Sequence, residues 1–224
     1  MTHPKNTLAR YSNVRLPNPE RIFIYTEGKE TEPNYFRAMR DDDTITKKYT
    51  ITIKDGKGQS PLKVVEGAIG YLKNLGKSTF YDQKWCVLDV EDSSKSDVLL
   101  KACKLASDND FKLCLSNPSF EVWYLSHFEK SPRFLFDGRA AKSEVKRLWQ
   151  KHFNRDYDEN DARQYADLRS SLRTAVENAQ WVLENHHWNG SCKDCNSSTE
   201  VYKLILRLCP DVLKDAASST QEVK

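Results

Sequence analysis

The sequence predicts an α/β fold, with a mainly parallel sheet flanked by helices and a C-terminal helical lobe after it. Three observations predict it. Four short runs rich in β-branched, aromatic and other apolar residues recur before residue 120. Between them lie segments whose apolar residues step by three and four. Beyond residue 130 only the helical stepping remains. Strands alternating with helices in this way argue for parallel pairing, because each helix carries the chain back to the same end of the sheet.

The first strand is Arg21-Ile-Phe-Ile-Tyr-Thr, bounded by Glu27-Gly28. A helix follows, with Thr31 as its cap, Pro33 in its first turn and Tyr35, Phe36 and Met39 along it. Tyr49-Thr-Ile-Thr-Ile-Lys alternates and forms the second strand; Gly56-Lys-Gly-Gln is a loop. Leu62, Val65, Ile69, Leu72 and Leu75 mark one face of a helix that Gly76 ends. Lys84-Trp-Cys-Val-Leu-Asp reads as a buried third strand, and Val98, Leu99, Ala102 and Leu105 as the next helix. Phe111-Lys-Leu-Cys-Leu is the fourth strand, and Pro118 opens another helix. Farther on, Leu168, Leu172, Ala175, Ala179 and Val182 form one long stripe. Asn196-Ser-Ser-Thr-Glu opens the last helix, with Ser197 and Glu200 as a capping box and Val201, Leu204, Ile205 and Leu208 as its apolar face. The expected organisation is an irregular arm over 1–20, a core over 21–130, a helical lobe over 131–210 and a polar tail over 211–224.

Charge and composition exclude several classes. The chain has 224 residues, with 35 Lys+Arg against 32 Asp+Glu, a formal charge of +3. A protein that coats nucleic acid by charge needs a far larger excess. With 5 Trp, 10 Tyr and 9 Phe, the chain has the material for a core that a disordered tail lacks. No apolar run approaches the ~20 residues of a membrane-spanning helix. The opening Met1-Thr-His-Pro-Lys-Asn has no apolar signal core. A cytoplasmic protein with reduced thiols is expected, since Cys86 and Cys114 sit inside apolar runs and the six cysteines make a poor disulfide framework.

The informative residues follow strands. Glu27 ends the first; Asp89, Glu91 and Asp92 end the third. In an open parallel sheet these ends share one edge, where ligands bind. Carboxylates gathered there repel one another unless a cation neutralises them, and hard oxygen ligands favour Mg²⁺ or Mn²⁺. Such an ion can bind phosphate oxygens, activate water and stabilise a leaving oxygen. Taken singly, each of these acids also reads as an ordinary turn or cap residue. No Gly-x-x-x-x-Gly-Lys-Ser/Thr phosphate loop is present.

Four motifs carry a family resemblance. Glu27-Gly28-x-x-Thr31-Glu32-x-x-Tyr35-Phe36, Asp89-Val90-Glu91-Asp92, Asn117-Pro118-Ser119-Phe120-Glu121-Val122-Trp123-x-Leu125-x-His127-Phe128 and Asn196-Ser197-Ser198-Thr199-x-Val201 occur in this order across residues 21–208. Together they resemble the RloB-like family. The resemblance implies a TOPRIM-like core, with a Glu after its first strand and an Asp-x-Asp after its third, used for metal-dependent phosphodiester chemistry. Here Glu91 stands where the second Asp is expected. Ser119-Phe120-Glu121 is similar to the Ser-x-Glu element of OLD-type nucleases, in which the Glu binds metal. The resemblance further implies a place in restriction and abortive-infection loci, beside an ATPase, and a role in phage defence.

On this reading Asp89 is a bridging metal ligand and Glu27 a ligand or the general acid/base. Glu91 and Asp92 compete for the second ligand position, and Glu121 binds metal or substrate. Lys29, Ser119 and His127 are expected at the substrate, with a solvated loop lysine and a packed histidine as the bland alternatives for Lys29 and His127. Residues 139–151 hold Arg139, Lys142, Lys146, Arg147 and Lys151 against Glu144 alone. Arg139, Lys142 and Lys146 fall on one helical face that can bind phosphates, with Trp149 near enough to stack a base. A solvated helix face reads as well. Cys192-x-x-Cys195 with His186 and His187 lacks a second cysteine pair for a structural zinc site. The expectation is a Mg²⁺- or Mn²⁺-dependent nuclease acting on DNA or RNA. The alternative is a non-cleaving adaptor that docks an ATPase and senses nucleic acid. Oligomeric state stays open.

Overall fold

Alternation within each strand decides the sheet. In a computed structural model, which describes residues 18–56, 60–76, 80–90, 96–185 and 195–214, five strands form one sheet in the order β2-β1-β3-β4-β5. They are β1 (Glu20–Thr26), β2 (Tyr49–Asp55), β3 (Gln83–Asp89), β4 (Phe111–Asn117) and β5 (Ser198–Thr199). The first four run parallel and β5 is antiparallel to β4. Successive side chains point to opposite faces. Ile22, Ile24, Ile51, Ile53, Trp85, Val87 and Cys114 therefore face one way, and Phe23, Cys86, Leu88 and Leu115 the other.

Helices cover both faces. On the second face lie α3 (Pro61–Asn74) and α4 (Ser96–Asp108), which supply Val64, Val65, Ala68, Leu99, Ala102 and Ala106. Gly76, at φ +79, ends the first of these turns in the left-handed conformation that costs glycine least. The first face takes the rest: α1 (Thr31–Arg40), α2 (Asp43–Thr46), α5 (Glu121–Ser126), α6 (Gly138–Phe153), α7 (Gln164–Leu168), α8 (Leu172–Asn185) and α9 (Val201–Leu208). One hydrophobic cluster runs unbroken from Ile22 through Tyr35, Trp123 and Trp149 to Leu204. Ion pairs tie the later helices to the sheet's near end: Arg207 pairs with Glu20, and Arg169 with Asp42 at 2.7 Å.

Several expectations change. Ser197 and Glu200 form no capping box. The Ser197 hydroxyl donates instead to the Arg133 carbonyl, and Ser198–Thr199 extends as a short strand after residue 130, on the edge of β4. The long stripe from Leu168 is interrupted by a 3₁₀ turn at Arg169–Ser171, although its apolar residues are all buried. The helix after Pro118 begins at Glu121, and Thr31 is the first residue of α1 rather than its cap. Trp149 cannot stack a base. It is 1 % exposed, because Ala141, Val145, Leu148 and Trp149 form the buried stripe of α6. Among the described residues no helix is long and apolar enough to cross a membrane.

Candidate functional site

The order of strands places the site. From β1 the chain goes to β2 on one side and later to β3 on the other, so the direction of winding reverses between β1 and β3. A crevice opens at the carboxyl ends of strands at such a switch point. Glu27 follows β1 and Asp89 ends β3, and the two are joined directly. The Glu27 amide donates to the Val87 carbonyl at 3.0 Å, and the Asp89 amide donates to Glu27 Oε2 at 3.0 Å. Residues 62 apart in sequence thus share one edge.

A cleft of about 470 Å³ opens there, lined by Glu27, Lys29, Asp89, Ser119, Glu121, Arg139 and Lys142, with Glu32, Glu159 and Gly138 among its other walls. Glu121, Glu32 and Glu159 are each positioned by an identifiable partner. Ser119 donates to Glu121 Oε2 at 2.6 Å, and both residues are buried. The Gly28 amide donates to Glu32 Oε1 at 2.9 Å. A Cβ on Gly28 would stand 2.1 Å from Glu32 Oε2, so a side chain here would have to move the Glu32 carboxylate. Lys142 closes the arrangement with a 2.7 Å ion pair to Glu159.

Burial next to like charges controls the proton affinities. Desolvation drives the Glu32 carboxyl up to about 7 against its backbone hydrogen bonds, and the nearby Glu121 charge adds to the rise. Glu121 is also raised, first by burial. Burial alone would lower the Lys142 ammonium. The Glu159 hydrogen bond and the fields of Glu121, Glu159 and Glu32 outweigh it and hold that ammonium above the ordinary lysine value.

The donor set is of the right kind for a hard divalent cation: all oxygen, anionic and partly desolvated. It is not a finished cage. Among the described residues no group of three His, Cys, Asp or Glu side chains is arranged to hold a metal ion. Glu91 and Asp92 lie outside the described residues, as do Cys192, His186 and His187.

Other expected residues fall elsewhere. Lys146 is exposed on α6 and does not line the cleft. His127 does not line it either, being 4 % exposed with its ring edge-on to Trp123. The Ser171 hydroxyl donates to the Leu168 carbonyl, so it accepts from His127 Nδ1 at 3.0 Å, while Nε2 is buried without a partner. Burial holds this imidazole down at about 3. Cys195 is a buried free thiol in the second hydrophobic cluster.

Sequence alone assigns no role to Glu32 or Glu159. Glu32 had a signal, since it sits three and four positions before Tyr35 and Phe36, on the inward stripe of α1. An acid on such a stripe calls for an explanation. Glu159 had none, because only the tertiary fold brings it to Lys142. The motif around Asn196 turns out to be a fastening. Its amide donates to the Leu135 carbonyl at 2.6 Å and accepts from the Leu135 amide at 2.7 Å, while Thr199 and Ser116 bond at 2.8 Å across β5 and β4.

Fold and cleft together define an α/β protein with an acidic crevice at the switch point of a mostly parallel sheet. The family model described as RloB-like protein matches residues 22–208, and the chain belongs to that family. No curated protein and no solved structure matches it.

Proposed function

We propose that the chain is a metal-dependent nuclease of TOPRIM type that hydrolyses phosphodiester bonds in DNA or RNA. The observation that carries this reading is the meeting of Glu27 and Asp89 at the switch point, in a cleft that also holds Glu32 and Glu121. Glu27, Asp89 and Glu121 would hold Mg²⁺ or Mn²⁺, with Glu91 or Asp92 as a further ligand. Such an ion, when bound, neutralises phosphate charge and acidifies water. The chain's own groups do the rest. Ser119 orients Glu121. Glu32, titrating near neutrality, exchanges a proton at its carboxylate. Lys142, Lys29 and Arg139 offer cations to the phosphates at the rim, with Lys142 released from Glu159 as a phosphate replaces that carboxylate. Family membership supports a role as the effector of a prokaryotic anti-phage system with a partner ATPase, acting in the cytoplasm.

The test is incubation of the purified protein with labelled DNA and RNA, in Mn²⁺ and in chelator. Cleavage in Mn²⁺ that chelator abolishes is expected. The Glu27→Gln, Asp89→Asn double variant is expected to lose at least about 10²-fold in rate; full activity in that variant would overturn the proposal. One observation favours the alternative of a non-cleaving adaptor that docks an ATPase: Glu91 stands where the acidic pair of the resemblance has its second Asp. A titration with no binding at millimolar Mg²⁺ or Mn²⁺ would decide for the adaptor.

A further inference from the structure

The segment between α5 and α6 exposes two aromatic rings that the core does not need. Phe134 is 71 % and Phe136 82 % exposed, while Leu135 between them is 5 % exposed. This alternation is that of an extended chain, whose residues two apart share a face at about 7 Å. The two rings therefore leave the same face of the segment. They are the most exposed large hydrophobic side chains among the described residues.

The segment is fastened rather than slack. The Asn196 side chain takes both backbone groups of Leu135, at 2.7 and 2.6 Å, as a neighbouring strand would. The Ser197 hydroxyl donates to the Arg133 carbonyl at 2.9 Å, and Leu135 is anchored in the main hydrophobic cluster. Ordering a segment in this way fixes where its outer rings point. It also runs straight into the cleft: Gly138, two residues past Phe136 and so within about 7 Å of it along the chain, lines the wall together with Arg139.

The surroundings select the occupant. Residues 131–151 carry six basic residues and two acidic ones. Arg139 is 94 % exposed in its side chain, and Arg133, paired with Glu144 at 2.6 Å, stands on the same segment. A protein partner of standard size needs about 800 Å² on this face, with an apolar centre. Here two rings stand among Pro132, Arg133, Asp137 and Arg139; among the described residues the other exposed large hydrophobics, Leu75, Phe80 and Leu100, belong to the α3 and α4 side of the sheet. Paired aromatics among arginines at the mouth of a phosphate-directed cleft suit bases with free π-faces. We infer that Phe134 and Phe136 form a stacking platform for the unpaired bases of a single strand whose backbone enters the cleft. The inference rests on the nucleic-acid reading above and sharpens it, from any DNA or RNA to unpaired DNA or RNA.

The test reads binding rather than cleavage. A short labelled oligonucleotide, single-stranded or duplex, is titrated with the full chain in Ca²⁺ and followed by anisotropy. Wild type is expected to bind the single strand more tightly than the duplex. The Phe134→Ala, Phe136→Ala pair should bind it about ten-fold or more weakly, the Tyr pair within a few-fold of wild type, and the Leu pair as weakly as the Ala pair. Thermal midpoints should not change, since both rings are in solvent. Single-strand binding that the Ala pair leaves intact, or that the Leu pair retains, overturns the platform and leaves the nucleic-acid reading standing. Preference for duplex does the same. A wild type that binds no oligonucleotide overturns both. A wild-type dimer that the Ala pair splits assigns the rings to a second copy of the chain and overturns the platform.

Discussion

Gly28 and Glu32 fit each other closely. A Cβ at Gly28 would have to displace the Glu32 carboxylate, breaking its bond from the Gly28 amide and leaving a buried acid to find another partner. Gly28→Ala is expected to cost about 1–3 kcal/mol in urea unfolding. Adding Glu32→Ala should restore much of it, so a double-mutant cycle isolates the contact. His127 gives a prediction about pH. Its imidazole titrates at about 3 in the folded chain against an ordinary 6.5, so between these values the unfolded chain binds more protons. The stability it confers is complete above 6.5 and falls as pH drops toward 3, by up to about 1.4 kcal/mol per unit. Glu32 acts in the opposite sense. Raised from 4.5 to about 7, it confers stability that is complete below 4.5 and is lost as pH rises through 7. Urea midpoints between pH 5 and 6.5 should rise more steeply with pH in Glu32→Gln than in wild type, and less steeply in His127→Gln. At this scale the sequence was legible where topology did the joining, as at Glu27 and Asp89. It was not legible at Glu159, whose partner Lys142 is set only by how the segment after α6 folds back.

Elements were readable in proportion to their length and periodicity. The four parallel strands and the helices α1, α3, α4 and α6 each carry enough repeats of two or of three and four to announce themselves. β5 does not. Two residues have no period, and Ser-Ser-Thr-Glu before an apolar run is also what a helix start looks like. The backbone of β4 decided the matter, because its free edge offered Ser116 and Asn117 for pairing. The same motif holds the segment before α6, and there the Asn196 amide acts as a one-residue strand. Asn196→Ala should therefore raise the hydrogen-exchange rate of the Leu135 amide by ten-fold or more, while amides in β1 and β3 keep wild-type protection. Equal exchange at Leu135 in both proteins would show that backbone packing alone holds the segment.

At the scale of the whole molecule, a net charge of +3 conceals an acidic cleft and a basic rim. Binding of a single strand should therefore depend on salt only weakly. With about three to five phosphates neutralised, the slope of log K against log salt is expected near −2 to −3.5. A much steeper slope would mean a broader basic surface than Arg139 and its neighbours supply. The cleft should also couple metal to protons. If a divalent cation enters beside Glu32, the proton held near neutrality leaves, so titration calorimetry at pH 6.5 in buffers of different ionisation heat should show proton release that Glu32→Gln abolishes.

The fastening at Asn196 has a consequence in time. The ribosome releases the amino-terminal part of a chain first. By residue 130 the cleft acids Glu27, Glu32, Asp89 and Glu121 have been made. The wall that faces them, with Arg139, Lys142 and Glu159, comes later, and the residues that pin the approach to that wall come later still, at 196–199. A nascent chain thus carries its acids long before it has a cleft. Whatever chemistry the cleft performs is withheld until residues 196–199 have been made.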